Sequence, residues 1–378
     1  MDLALTDTQK MVQDTARRVA KDVLAPRAKD LDRNHGFPDE QVKALGEVGL
    51  LGVNLPEDLG GSAAGVVSYS LAMTEVAAAC AATSVTMAVT NMCGEVIARF
   101  GTEAQKQQWI PKLTSAEIPG GAFGLSEPQA GSDAGHLRTR AEKKGDRWIL
   151  NGEKMWITTG DRAGVYVVWA RTGGEGPGGI STFLVPGGTK GLTPGKPESK
   201  MGQRGSPTVG IAFEDCEIPE DALLGKLGEG FKVAMMALDG GRIGIASQAY
   251  GIGRAALEAA TAYAKEREAF GHPIAEFQAI QWKLADMATE LEAAAQLVAR
   301  AAWLRDAGKP HHKEAAMAKL FASESAARTC DQAARVLASY GYAMEYPVQR
   351  YLRDVRFTLI GGGTSEILKL VIAKELSA

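Results

Sequence analysis

The chain reads FGLSEPQAGSDAG at residues 123–135, where its pattern changes from helical to β. Before this stretch, apolar residues recur at helical spacing; after it come short β-branched and aromatic runs separated by Gly-rich turns. Ser126 and Ser132 offer hydroxyl groups, and Gly131 allows close backbone approach. The stretch is typical of a loop that holds a flat polar heterocycle and a phosphate, and a plain surface loop has the same composition.

The chain divides into three segments with different sequence patterns. Residues 1–118 alternate helix-like segments with Gly and Pro breaks, and Thr6 is the predicted N-cap of the first helix. Residues 119–226 predict a small β-domain. Residues 227–378 are Ala-rich with long helical periodicity, which predicts three long antiparallel helices and a shorter last one. We therefore expect a mostly α protein with an N-terminal helical domain, a middle β-barrel or sandwich and a C-terminal four-helix bundle.

Composition excludes several classes of protein. The 378 residues are 45% apolar and 23% charged, with a formal net charge of -3, so the chain has no electrostatic footprint for nucleic acid. It has no apolar run of membrane-spanning length, and its first residues lack the features of a signal peptide. The four cysteines lie far apart, which predicts neither a disulfide framework nor a metal site. We expect a protein of the reducing cytoplasm.

Three further motifs have plain structural interpretations. The run GEGPGG at residues 174–179 matches a dinucleotide fingerprint, but a strand-like run follows it, so a hairpin turn is the better interpretation. His311 and His312 lack spaced ligand partners and indicate a solvated helix start. Cys93 has no basic neighbour within a helical turn, so a buried small hydrophobe is expected there.

Two more stretches favour a ligand site. NGEKMWITTG at residues 151–160 predicts a strand that carries Trp156 beside Thr158, an aromatic wall next to a hydroxyl group. RFTLIGGGTSEIL at residues 356–368 places three glycines before a helix, where they permit positive φ and close approach to a ligand.

Together with LDGGRIGIASQAYG, KEREAFGHPIAEFQAIQ and YLRDVRFTLIGGGTSEIL, these stretches make the whole chain resemble the acyl-CoA dehydrogenase family, and most closely its short-chain branch. The resemblance implies an FAD enzyme that removes the α-proton of an acyl-CoA while a hydride leaves the β-carbon for flavin N5. It also implies electron transfer to an electron-transfer flavoprotein and a homotetramer built on the C-terminal bundle.

The resemblance assigns the FAD site to three parts of the chain. The loop and strand of the middle domain would line the flavin, Arg267 and Gln278 would reach the pyrophosphate and adenosine half from a neighbouring subunit, and the last motif would reach back to FAD. The implied FAD-binding residues are Phe123, Leu125, Ser126, Gly131, Ser132, Trp156, Ile157, Thr158, Arg267, Gln278, Thr364, Ser365 and Glu366.

The implied substrate site involves two helices and the glycine run. Asp239 and Arg242 match positions that hold the pantetheine and adenine portions of CoA, Ser132 lies near the CoA arm, and helix residues form the acyl wall. The implied substrate-binding residues are Ser84, Ala88, Asn91, Met92, Ser132, Asp239, Arg242 and Gly363.

The catalytic carboxylate of the family is absent from its usual positions. Most members carry a Glu immediately before the Gly-Thr of the last motif, where this chain has Gly362, and some carry it before the Arg that matches Arg242, where this chain has Gly241. The resemblance also implies a Gln and a Gly-Gly pair at what are here Arg335, Ala338 and Ser339, so an altered FAD contact is expected there. Glu95 is the remaining carboxylate near the acyl wall, and its plain interpretation is a solvated charge at a helix end.

Four hypotheses account for the missing base. In the first, dehydrogenation uses a base from elsewhere, such as Glu95, and in the second, the protein eliminates a leaving group such as sulfinate, although no Arg lies on the pocket helix to hold an anion. In the third, the protein binds FAD and acyl-CoA without catalysis. In the fourth, the substrate has an acidic α-carbon or reacts in the reducing direction with solvent as proton donor. Small residues at Gly241, Gly362, Ser84 and Ala88 predict room for a short branched, cyclic or substituted acyl chain.

Overall fold

The N-terminal part of the protein is helical, and its helices begin at the caps that the sequence predicts. The computed structural model describes residues 4–377. Thr6 accepts a hydrogen bond from the Gln9 backbone N–H (3.2 Å), and the Gln9 side chain accepts one from the Thr6 N–H (2.9 Å), which is a capping box. The six helices are α1 (Asp7–Val19), α2 (Ala25–Asn34), α3 (Asp39–Glu47), α4 (Gly65–Ala79), α5 (Ala81–Phe100) and α6 (Glu103–Thr114).

The middle of the chain forms one sheet of eight strands. Strand order is β6-β7-β3-β2-β4-β5-β8, and β1 pairs in parallel with β4. Apolar residues on one face of the strands form one core, and the opposite face of β4 and β5 packs with helices in a second core. The strands are β1 (Gly121–Gly124), β2 (Arg140–Lys144), β3 (Arg147–Thr158), β4 (Val165–Arg171), β5 (Ile180–Pro186), β6 (Leu192–Pro194), β7 (Thr208–Pro219) and β8 (Leu223–Leu224).

The GEGPGG run lies in the connection between β4 and β5, which pair antiparallel. Gly176 has φ +81 and the run closes in a short 3-10 turn, Pro177–Gly179. The hairpin interpretation of this run is therefore confirmed.

The C-terminal part is a bundle of long helices. Alanines of three helices, among them Ala256, Ala294 and Ala322, are fully buried, because small side chains let the helix backbones approach closely. The elements are α7 (Gly230–Glu266), the hairpin β9 (Glu268–Ala269) and β10 (His272–Pro273), α8 (Gln278–Asp306), α9 (His312–Leu337), α10 (Ser339–Tyr342), α11 (Val348–Val355) and α12 (Ser365–Ser377).

Side chains from the bundle fix the other two parts of the chain. Asp306, the last residue of α8, accepts hydrogen bonds from the backbone N–H groups of Val66 (2.6 Å) and Val67 (2.9 Å) and so caps the start of α4. On α11, Asp354 accepts the backbone N–H of Gln203 (2.5 Å) from the sheet region. The mostly α architecture with a smaller sheet-rich middle, expected from sequence, is confirmed.

Within residues 4–377, no helix is both long and apolar enough to cross a membrane. In the same part of the chain, no three His, Cys, Asp or Glu side chains come together as metal ligands.

Candidate active site

The loop after β1 and the strand β3 are locked to each other by a buried ion pair. Lys154 and Glu127 are almost fully buried and lie 2.8 Å apart, and the Met155 N–H donates to the Ser126 carbonyl (2.9 Å). Burial alone would raise the pKa of Glu127, but the Lys154 charge and the N–H groups of Arg138 and Thr139 hold it at about 2. Two stretches that the sequence analysis assigned to the flavin are thus neighbours.

Strand β3 contains an irregularity that turns Trp156 outward. Its register against β7 shifts between Lys154 and Ile157, and Trp156 has φ +63. A non-Gly residue in this conformation costs about 1–3 kcal/mol, and such strain concentrates at ligand sites. Ile157 packs inward with 1% exposure, whereas the Trp156 side chain is 60% exposed. The bulge therefore presents a large aromatic surface, with Thr158 half-buried beside it.

The other predicted flavin residues of the middle part differ in exposure. Phe123 is half-buried and packs on Trp169 with ring centroids 4.3 Å apart. Leu125 is buried in the core, and its carbonyl oxygen accepts a hydrogen bond from Lys154 Nζ (3.3 Å). Gly131 and Ser132 are exposed.

The glycine run lies against two helices of the bundle. Gly362 has φ +71 and Gly363 has φ +106, conformations that favour glycine. A Cβ added at Gly362 would meet only Ile245, at 3.7 Å, and the buried Lys319 Nζ donates to the Gly363 carbonyl (2.7 Å). Because Ile245 and Gly241 lie one turn apart on α7, Gly362 and Gly241, the two positions at which the sequence analysis expected the family's base, face a common region.

The residues after the glycines have different environments. Thr364 Oγ1 accepts the Ile367 N–H (3.3 Å) and caps α12, and Ser365 donates to Glu324 (2.7 Å), so the Ser365 hydroxyl is already bound within the chain. Glu366 is fully exposed.

Asp239 and Arg242 form the core of a charged cluster near the start of α7. Arg242 Nη1 donates to Asp239 Oδ1 (2.8 Å), and His312 Nδ1 lies 2.7 Å from the same oxygen. The interpretation of His312 as a solvated helix start was incomplete, because it forms this pair. Arg242 is only 4% exposed, and its Nε has no hydrogen-bond partner among the described residues.

The acyl wall on α5 is more closely packed than the sequence analysis expected. Ser84 and Ala88 are buried, and Ser84 Oγ accepts from Gln248 Nε2 (2.9 Å). A Cβ added at Gly241 would lie 2.7 Å from Met92 Sδ. The expectation of free room at Gly241 was therefore wrong, since Met92 fills it; the open position is Gly362.

Glu95 is not a solvated helix-end charge. It is 8% exposed, its Oε2 accepts from Arg305 Nη2 (2.8 Å), and its Oε1 accepts from Asn54 Nδ2. Both oxygens are thus engaged, which does not suit a free general base. Sequence reasoning missed Arg305 because it lies 210 residues away on α8, and no local motif marks it.

Arg267 and Gln278 are exposed and flank the β9–β10 hairpin. Arg267 follows the C-terminal end of α7, whereas Arg242 lies in its first turns, so about 35–40 Å of helix separates them. One chain does not bring these two residues to one small site.

The position that resembled a Gly-Gly pair is strained in this chain. Ala338 has φ +52 and ψ -125, outside the regions that L-residues favour, and the neighbouring Arg335 pairs with Asp331 (2.8 Å). Glycine adopts such a backbone without strain, whereas Ala338 does not.

The fold and site together define a three-part protein, with helical N- and C-terminal parts and a sheet-rich middle part that presents the exposed Trp156. Family models for acyl-CoA dehydrogenases match nearly all of it: the N-terminal domain at residues 6–117, the middle domain at 122–216 and the C-terminal domain at 228–377. The chain belongs to the acyl-CoA dehydrogenase family.

Individual relatives agree with this assignment. The mitochondrial short-chain specific acyl-CoA dehydrogenase of Mus musculus is 50% identical over 375 residues, covering 98% of this chain and 90% of the relative. Acryloyl-CoA reductase (NADH) of Anaerotignum propionicum is 45% identical over 380 residues, covering 100% and 96%. A chain in the solved structure of the electron transferring flavoprotein of Acidaminococcus fermentans is 45% identical with a TM-score of 0.98, covering 100% and 99%.

Members of this family are flavoproteins, and the residues of this chain fit such a cofactor. Trp156 is 60% exposed, and Ser126 and Thr158 are half-buried near it. An extended ligand with a flat ring system and phosphates uses each of these groups.

Proposed function

We propose that this protein is an FAD-dependent oxidoreductase that acts on the α and β carbons of a short acyl-CoA. The observation that carries the proposal is the bulge in β3. At this bulge a strained backbone at Trp156 holds Trp156 and Thr158 beside the loop at Ser126. Bound FAD would supply the hydride acceptor. The name of the Mus musculus relative supports a short chain.

We assign roles to the chain's own residues from the family resemblance together with their surroundings in the structure. Trp156 would cover the flavin ring, and the Thr158 hydroxyl would bond to a ring nitrogen. Asp239, Arg242 and Ser132 would hold the CoA portion, while Ser84, Ala88 and Met92 would enclose the acyl chain. Met92 has a flexible thioether side chain, so it can move away from Gly241 when the acyl chain enters.

The α-proton would be exchanged with solvent and not with a side chain. Gly362 and Gly241 have no side chain, and Glu95 is held by Arg305 and Asn54. The open space at Gly362 would admit water to the α-carbon. This arrangement suits a substrate with an acidic α-carbon or turnover in the reducing direction, and the acryloyl-CoA reductase relative supports the latter.

We further propose that the protein is a homotetramer and exchanges electrons with an electron-transfer flavoprotein. Arg267 and Gln278 would reach the FAD of a neighbouring subunit. Exposed aromatic side chains on the bundle support self-association, notably Phe270 (94% exposed), Tyr342 (92%) and Trp282 (64%). The structure from Acidaminococcus fermentans supports the partner.

The test is an anaerobic titration of the FAD-loaded protein with saturated short linear, branched and cyclic acyl-CoAs, and of the reduced protein with their 2-enoyl counterparts. Flavin absorbance reports both directions. Bleaching by a saturated ester or reoxidation by an enoyl ester is the expected result. Perturbed flavin spectra with neither reaction would replace the proposal with elimination or with a binding function.

A further inference from the structure

A cluster of buried polar side chains lies where α5 and α8 meet, and we call it the Glu95–Arg305 cluster. It consists of Glu95, Arg305, Asn54 and Asn91. Arg305 donates to Glu95 (2.8 Å), Asn54 donates to the other Glu95 oxygen, and Asn91 donates to Asn54 Oδ1 (2.6 Å). Side-chain exposure is 8% for Glu95 and 18% for Arg305, so both charges are largely removed from water.

This cluster reaches the acyl wall through Gly240. A Cβ added at Gly240 would lie 2.7 Å from Glu95 Oε2 and would also collide with Arg305 Nη1. Only a residue without a side chain therefore lets the ion pair lie directly on α7. The next residue, Gly241, contacts Met92, and Met92 follows Asn91 on α5. The cluster and the acyl wall are thus continuous.

Stability does not explain such a cluster. A buried ion pair costs desolvation energy that its mutual attraction barely offsets, and apolar residues of similar size often stabilise a protein as well or better. The Arg305 guanidinium has five N–H donors, and within residues 4–377 its one hydrogen bond is to Glu95. The other N–H groups therefore have no protein acceptor among the described residues, and Nη1 lies against the backbone at Gly240.

We propose that the Glu95–Arg305 cluster recognises an uncharged oxygen group, a hydroxyl or carbonyl, at the far end of the acyl chain; this inference rests on the proposed function as an acyl-CoA enzyme. The pair is neutral overall, and Glu95 repels a second carboxylate, which disfavours a dicarboxylic acyl group. A hydroxyl accepts from Arg305 and donates to Glu95. A plain alkyl end would leave the pair buried against methyl groups with no compensating bond.

The test measures calorimetric dissociation constants of the FAD-loaded protein for matched esters: butyryl- and 4-hydroxybutyryl-CoA, pentanoyl- and 5-hydroxypentanoyl-CoA, and glutaryl-CoA. At one of the two lengths the hydroxylated ester should bind about tenfold more tightly than its alkyl counterpart, the worth of one good hydrogen bond. Glutaryl-CoA should bind more weakly than 5-hydroxypentanoyl-CoA.

The variant Glu95→Leu/Arg305→Met removes both charges together, which avoids leaving one charge unpaired. It should keep alkyl-ester binding and lose the preference for the hydroxyl. The matched control, Arg147→Gln/Glu217→Gln, removes an exposed ion pair of the sheet (3.3 Å) and should leave the preference intact. Thermal denaturation checks that both variants fold.

Equal or weaker binding of the hydroxylated esters at both lengths, with alkyl esters bound, overturns the inference and leaves the proposed function standing. A preference that survives in the double variant overturns it as well. Failure of every ester to bind overturns the proposed function, and the inference with it.

Discussion

The Lys319 ammonium group, fully buried on α9, donates a 2.7 Å hydrogen bond to the carbonyl oxygen of Gly363. This bond holds the backbone of the glycine run and so helps to set the position of Gly362. Burial and, to a smaller extent, the nearby Arg242 lower the pKa of Lys319 to about 7, although Glu324 and Glu366 act to raise it. The position of the glycine run therefore depends on a hydrogen bond from a side chain whose protonation is affected by the charges around it.

Replacing Lys319 should reveal this linkage in the pH dependence of stability. The folded-state pKa lies below the unfolded value near 10.4, so between about pH 7 and 10 the unfolded chain binds more protons and Lys319 favours folding increasingly as pH rises. Urea unfolding at pH 6.5 and 9 should show the stability of wild type relative to Lys319→Met improving by about 1–3 kcal/mol at the higher pH. A difference that does not change with pH would contradict a buried, titrating amine.

Restoring a carboxylate at Gly362 should create a proton-abstracting base. The built Cβ meets only Ile245, so the side chain has room, and the positive φ costs about 1–2 kcal/mol of stability. Gly362→Glu should raise the rate of flavin bleaching by a saturated short acyl-CoA about 100-fold or more, the usual contribution of general base catalysis. Stopped-flow absorbance measures it.

Gly362→Gln is the matched control, since it has the same size and the same backbone strain without a base. If both variants bleach at the same rate, the vacant position at 362 does not limit proton removal.

Removing one member of the Glu127–Lys154 pair should destabilise the loop that carries Ser126. Lys154→Met leaves Glu127 as a buried charge without its partner, which costs about 3–5 kcal/mol. The double variant Glu127→Gln/Lys154→Met should recover much of that loss. Chemical denaturation gives both free energies, and a double variant no more stable than the single one would show that hydrogen bonds to Glu127 matter more than its charge balance.

Asp354 should make stability fall as pH rises, which is the opposite of the pH dependence expected for Lys319. Burial raises its pKa to about 6, against the hydrogen bond from Gln203 and the charge of Arg350. A raised carboxyl pKa contributes stability below about pH 4, and this contribution is lost as pH rises through 6. Asp354→Asn, which keeps an acceptor for Gln203, should therefore be more stable than wild type by about 1–3 kcal/mol at pH 7.5 and no more stable at pH 4.

The neighbouring Asp32→Asn is the comparison for that experiment. Asp32 pairs with Arg353 through two hydrogen bonds (2.8 and 2.5 Å), so its loss should lower stability at pH 7.5. Stabilisation by both variants would mean that net charge, and not burial, governs this region.

Local sequence patterns predicted the architecture well. Thr6 and Gln9 form the expected cap, GEGPGG forms the expected turn, and Cys93 is buried as expected, since each depends on residues close in the chain or on hydrophobicity alone. The exposed Trp156 also stood out, because an aromatic residue in a polar strand run indicates a ligand surface.

The details that decide chemistry were not predictable in this way. Arg305 on Glu95, Met92 in the space at Gly241 and Lys319 on Gly363 all join residues of different elements. Periodicity shows which face of a helix is buried but not which partner it meets. Tertiary packing alone sets those pairs, so the expectations of a solvated Glu95 and of free room at Gly241 failed together.

The bond between Gln203 and Asp354 bears on how this chain can be divided. Gln203 has φ +47, and a Cβ at the adjacent Gly202 would run into the backbone of Arg353, so the loop between β6 and β7 is shaped against a helix encoded 151 residues later. A middle segment expressed alone would lack the helix α11, against which this loop packs. This loop therefore reaches its final conformation only after residues 353 and 354 have been synthesised.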